Sequence, residues 1–255
     1  MKKSWISVVI ALACAGPLSA SARERGVTPT PSINASATGK VSAKPDVAIV
    51  FMTIRSTSSL TADAVEQNNK KLETVKAKLT ELGYNDDMVK FSGNRFGPAG
   101  GRAYYPPGQQ PPGFDVYDNF CVYIQGPEVN DAAQFNKKVS LLLDGLSKVG
   151  ASPNNLPSSY PGASSIVVFA LKDATAYEKE ATAQAFEKVR PQAEEIAKHM
   201  NVRITGTAYA SVSSTGRPSL NLPLTILDDL PYEHLSYSID AVPIQMRVDI
   251  RYTYK

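Results

Sequence analysis

Val47-Ala-Ile-Val-Phe-Met-Thr-Ile-Arg-Ser56 is apolar at both alternating sets of positions. A strand of that kind buries both faces, so it belongs in the middle of a covered sheet. From Thr61 to Leu82 the period changes: Val65, Leu72, Val75, Leu79 and Leu82 recur at helical spacing as one stripe. Gly83 suits the position just past a helix end, where φ > 0 is needed. Each aliphatic side chain fully buried stabilises the fold by roughly 1.5–3 kcal/mol. Strand and stripe together predict a sheet with a helix packed on it.

On the N-terminal side, Ser32 to Val41 reads as a first strand, and Lys44-Pro-Asp46 as a turn in which proline presets φ. On the C-terminal side a short strand is expected around Met88 to Ser92. Another is expected at Phe114 to Gln125, where Tyr117, Asn119, Cys121 and Tyr123 alternate with Asp118, Phe120, Val122 and Ile124. Asn130 to Lys148 reads as a second helix with Phe135, Val139, Leu142, Leu146 and Val149 on one side, and Ser165 to Leu171 as a β-branched strand. Asp173 to Met200 is a long Ala-rich helix carrying Tyr177, Ala181, Ala185, Val189, Ala193, Ile196 and Met200. Pro191 lacks a donor, so a kink or break is expected there; Asn201 can adopt the left-handed conformation and end the helix. Val202 to Ser213 and Ile244 to Tyr254 close the pattern as strands. The order ββα-ββ-α-β-α-ββ predicts an α+β fold, largely antiparallel sheet with helices packed on one face. It also accommodates two related halves. Two loops stand out: Asn94 to Gly113, rich in Gly, Pro and Tyr, and Ser214 to Glu233, with Pro218, Pro223 and Pro231.

The N-terminus carries its own signal. Lys2 and Lys3 precede the apolar run Trp5 to Ala15, Gly16-Pro17 breaks it, and Ala20-Ser21-Ala22 offers the small residues of a cleavage site. The run is too short to span a hydrocarbon core of about 30 Å. Residues 1–22 are therefore expected to be a signal peptide, 23–32 an extended leader and 33–255 the folded domain, placing the protein in the periplasm. The competing reading makes Cys14, after Ala11-Leu12-Ala13, a lipidated N-terminus. There are 27 Lys and Arg, less Lys2 and Lys3, against 24 Asp and Glu, which leaves the remainder nearly neutral. Nothing in that balance favours nucleic acid or an anionic membrane. Without Cys14, Cys121 stands alone and has no intrachain disulfide partner.

Gly39-Lys-Val-Ser-Ala-Lys-Pro-Asp-Val-Ala48 resembles the SIMPL-domain family, whose pattern Gly-x-Val-x-x-x-Pro-Asp-x-Ala runs from a strand pair into a helix. Ala64, Asn68 and the helix ending Leu79-Thr-Glu-Leu-Gly83 continue it, and Ala174 to Met200 with Pro243 to Tyr254 match its second half. The resemblance covers nearly all of residues 33 to 255. Asn201 stands where the family usually has Gly, and the tyrosine-rich loop at 94 to 113 is longer than usual. The resemblance implies an exported periplasmic or surface-associated bacterial protein, with members linked to oxidative stress and members resembling ring-like or channel-like homo-oligomers. It implies no catalytic residues.

The sequence itself carries few signals of chemistry. His199, in the last turn of the Ala-rich helix, and His234, in a loop, read as surface or capping histidines, with no ligand spacing for a metal. No Gly-x-Ser-x-Gly and no phosphate-binding glycine loop occurs. Asp86-Asp87 and Asp228-Asp229 read as solvated pairs. Cys121, between Phe120 and Val122, reads as a small buried hydrophobe, the alternative being a redox-responsive thiol. Arg247, Asp249 and Arg251 read as a solvated ladder that discourages edge pairing. No catalytic, cofactor-binding or metal residue is assigned. Arg95, Arg102, Tyr104 and Tyr105 are the candidate contact surface, since Arg and Tyr are enriched at interfaces. The functional expectation is a non-enzymatic envelope protein forming homo-oligomers, with no nucleic-acid partner. The alternative is a periplasmic small-ligand-binding module or an unrecognised enzyme.

Overall fold

A computed structural model describes residues 31–99, 113–154, 156–157, 164–215 and 232–255. The strands are β1 (Ser32–Ala43), β2 (Val47–Ser58), β3 (Val89–Pro98), β4 (Phe114–Gln125), β5 (Ala151–Pro153), β6 (Leu156–Pro157), β7 (Ser164–Ser165), β8 (Val167–Ala170), β9 (Ile204–Ser214), β10 (Leu235–Ser236) and β11 (Val242–Tyr254). The helices are α1 (Thr61–Glu81), α2 (Ala132–Ser147) and α3 (Thr175–His199). The fold is α+β, and its sheet pairings are antiparallel.

β2 has the central place its composition predicts. It pairs with β4 along its whole length, and on its other side with β8 and then β5. The sheet order is β10-β8-β2-β4-β3. Ala48, Val50, Met52 and Ile54 point to one face with Phe120, Val122 and Ile124. There they pack against Val75 and Leu79 of α1 and Phe135, Leu142 and Leu146 of α2. Val47, Ile49 and Phe51 point to the other, where Cys121, Tyr123, Val168 and Ala170 lie beneath Tyr232 and Leu235. Asp131 caps α2 by accepting hydrogen bonds from the Ala133 and Gln134 amides.

A second sheet has the order β1-β11-β9. Thus β1 does not pair with β2: the turn at Lys44-Pro-Asp46 carries the chain from one sheet to the other. The physical reason lies in the two strands' patterns. β1 buries only alternate residues (Ile33, Ala35, Ala37, Gly39), whereas β2 is buried on both faces. Asp46 secures the crossing. Its carboxylate accepts the Lys172 amide at 2.7 Å, and its own amide donates to the Ala170 carbonyl at 3.2 Å.

α3 covers this second sheet with the row Ala181, Ala185, Val189, Ala193 and Ala197. The small side chains let the helix lie close on β1. A Cβ built on Gly39 would come within 1.8 Å of the Ala181 carbonyl oxygen, so glycine is required by space at this position.

Four details depart from the sequence reading. Of the kink or break expected at Pro191, the break does not occur: α3 is one helix across it. Its buried row ends at Ala197, while Ile196 and Met200 are exposed, because a four-residue row sets the contact and leaves the expected 196–200 pair outside it. Asn94 to Pro98 is strand and not loop: pairing with Phe114 to Asp118 takes up one side of its backbone, and Gly93 at φ +80° accommodates the register shift between Phe91 and Asn94. β11, carrying Arg247, Asp249 and Arg251, is the middle strand of its sheet, so these residues protect no edge. Asn201, at φ +55°, ends α3 as expected.

Candidate functional site

One edge of the second sheet, β9, is exposed along nearly its whole length. β9 is 11 residues long, Ile-Thr-Gly-Thr-Ala-Tyr-Ala-Ser-Val-Ser-Ser, with no charge and no proline. Among the described residues it pairs only with β11. α3 lies across β1 and β11 and scarcely reaches β9. Val212, opposite the buried Val248, is therefore 46% exposed on the helix side, and Tyr209 is 58% exposed on the other. Bulges at Ala208 and Thr205 interrupt the first half of the strand, leaving Tyr209 to Ser214 in regular register with Met246 to Arg251. Natural edges are usually blunted by charge, proline or irregularity. The regular half of β9 has none of these.

The outer face of this sheet is polar. Arg247 forks onto Asp249, with Nε to Oδ1 at 3.0 Å and Nη2 to Oδ1 at 2.9 Å, and Arg251 Nε donates to Asn34 Oδ1 at 3.2 Å. With Tyr209 and Ser36 these side chains line an open groove of about 270 Å³.

Of the four predicted contact residues, only Arg95 is among the described ones; Arg102, Tyr104 and Tyr105 lie outside them. Arg95 is exposed on β3, opposite Tyr117. On Tyr117's other side, Arg55 of β2 stands opposite the same residue and lies over its ring at 5.4 Å. Arg55 also grips Asp115, with Nε to Oδ1 at 3.0 Å and Nη2 to Oδ2 at 2.7 Å, and Asp115 accepts from Thr57 and from the Tyr117 hydroxyl at 2.8 Å. Burial pushes the Asp115 carboxyl up, but these hydrogen bonds and the Arg55 charge outweigh it and hold the group at about 2. The cluster is polar but internally satisfied.

A second buried carboxylate joins helix to sheet. Asn68, fully buried on α1, donates from Nδ2 to Asp118 Oδ2 at 2.6 Å. Burial raises the Asp118 carboxyl despite that bond and the charge of Lys76. The apolar-stripe reading of α1 missed this pair, because a lone Asn at helical spacing carries no hydrophobic signal.

His234 is a correction. It is buried rather than superficial, with Nε2 at 2.9 Å from Glu178 Oε1 in the first turn of α3. Its position just ahead of β10, which pairs with β8, draws the ring inward. His199 is exposed at the end of α3, as expected. Cys121 is buried in the sheet, and burial pushes its thiol up, away from reactivity. Asp86 and Asp87 are exposed in a short 3₁₀ turn; Asp228 and Asp229 lie outside the described residues. No described helix is long and apolar enough to cross a membrane.

Two main sheets, one carrying α1 and α2 and the other α3, joined at the Pro45-Asp46 crossing, define an α+β domain whose framework residues coincide with the Gly-x-Val-x-x-x-Pro-Asp pattern. The chain belongs to the SIMPL family, described as proteins of unknown function (DUF541), whose model matches residues 33–224. No curated protein matches it.

Proposed function

We propose that this is a non-enzymatic, exported cell-envelope protein that self-associates through β9, and that it supports stress tolerance indirectly, as a scaffold or channel-like assembly. The observation that carries this reading is the open half of β9, Tyr209 to Ser214. Among the described residues nothing pairs with its outer backbone edge or covers the apolar side chain of Val212, and the segment carries no charge to repel a second copy. Adding a strand satisfies backbone groups while the flanking side chains set the register. Export rests on the basic, apolar and small-residue order of residues 1–22. The family resemblance supports both the envelope location and the stress connection.

The test is to measure solution mass by light scattering for the chain and for Val212→Lys. Support is a discrete multimer that shrinks in the variant. A multimer unchanged by Val212→Lys and by Tyr209→Lys would move the interface away from β9.

A further inference from the structure

We propose that Glu178, Glu233 and His234 form a divalent transition-metal site, with zinc the ion best matched to the donors. One ligand atom from each lies within 4.8 Å of the other two. Two separate parts of the chain supply them: Glu178 from the first turn of α3, and Glu233 with His234 from the segment entering β10. An imidazole with two carboxylates is a donor set zinc accepts, leaving a fourth position open; the imidazole disfavours magnesium and calcium, which take oxygen ligands.

The geometry is close to what an ion requires. Donors about 2.0–2.2 Å from a tetrahedral zinc sit roughly 3.3 Å apart, and His234 Nε2 is 2.9 Å from Glu178 Oε1. That pair would have to open by a few tenths of an ångström, and Glu233, whose donor lies within 4.8 Å of both, to close in by up to about 1.5 Å, for the three to share an ion. The three residues line a cavity of about 160 Å³. Asp173 adds a third carboxylate to its wall, and Lys172 is the one cation among the lining residues, so the pocket is net acidic.

The histidine supplies the independent observation. Its side chain is 1% exposed, yet Nδ1 has no hydrogen-bond partner among the described residues. The large majority of buried side-chain polar atoms have a partner, so an orphaned ring nitrogen calls for an explanation. The buried ring is thus held by Glu178 alone, and Nε2, the nitrogen at Glu178, is the one an ion between them would take, leaving the proton on Nδ1.

The rival explanation is a plain Glu178–His234 contact that ties the segment before β10 to α3. It gives Glu233 no role. The experiment is calorimetric titration of the full chain with zinc chloride, with melting curves and the visible absorption of a cobalt(II) complex read alongside. Wild type should bind one equivalent and melt higher with zinc. Exposed Glu233 can change without disturbing the fold, so Glu233→Gln should keep the metal-free melting temperature while losing at least about 10–100-fold in zinc affinity, the loss already seen on removing an outer partner. His234→Gln should abolish the cobalt spectrum. Wild type that takes up no zinc overturns the proposal, as does Glu233→Gln binding zinc as tightly as wild type.

Discussion

At the scale of single residues, two buried carboxylates pull stability in opposite directions with pH. Asp115 has a folded pKa of about 2, below its value in the unfolded chain. Its contribution is therefore complete above the unfolded value near 4 and is lost as pH falls toward 2. It amounts to about 2 kcal/mol, an upper figure because Arg55 is half exposed and its charge is screened. Asp118 has the reverse sign: its folded pKa is raised, so protonation on acidification favours the folded state. Melting curves across the acid range should show Asp115→Asn flattening the loss below pH 4. Asp118→Asn should hold or gain stability at pH 7, because it removes a buried charge while an amide oxygen still accepts from Asn68. Asp118→Ala should lose about 1–3 kcal/mol by leaving the Asn68 amide unpaired. Equal losses in both variants would mean that the charge itself stabilises the site.

At the scale of elements, the close seating of α3 on β1 depends on one missing side chain. Gly39→Ala would drive a methyl into the Ala181 carbonyl and toward the Ala185 amide, both of them helix backbone that cannot turn aside. The expected loss is at least about 3 kcal/mol, the upper end of ordinary overpacking; a denaturant midpoint close to wild type would show that α3 can move off the strand. The same elements mark what the sequence could tell. The two-faced β2 and the stripes of α1 and α2 were legible because burial is written in their periodicity. The separation into two sheets was not, since β1 finds β11 across most of the chain, with Ser32 opposite Thr253. Asn94 to Pro98 was hidden by Gly and Pro, residues that normally argue against a strand. His234 was hidden for another reason: its burial comes from the pairing of β10 with β8, and nothing in Tyr232-Glu233-His234 encodes it.

At the scale of the whole molecule, the two sheets are finished unequally. Among the described residues the six-stranded sheet is packed on both faces around β2, whereas the three-stranded sheet has a helix over two strands and nothing over the third. That imbalance is the physical basis for reading the protein as one part of an assembly, and neither the near-neutral charge nor the internally satisfied Arg55–Asp115 cluster offers a comparably strong surface. The candidate loop pair Tyr104 and Tyr105 with Arg102 would then add to an interface centred elsewhere. The deciding measurement is the solution mass of the chain by light scattering, run beside Val212→Lys. A discrete multimer for the chain and a smaller species for the variant is the predicted result; a monomeric chain at every concentration would contradict self-association outright.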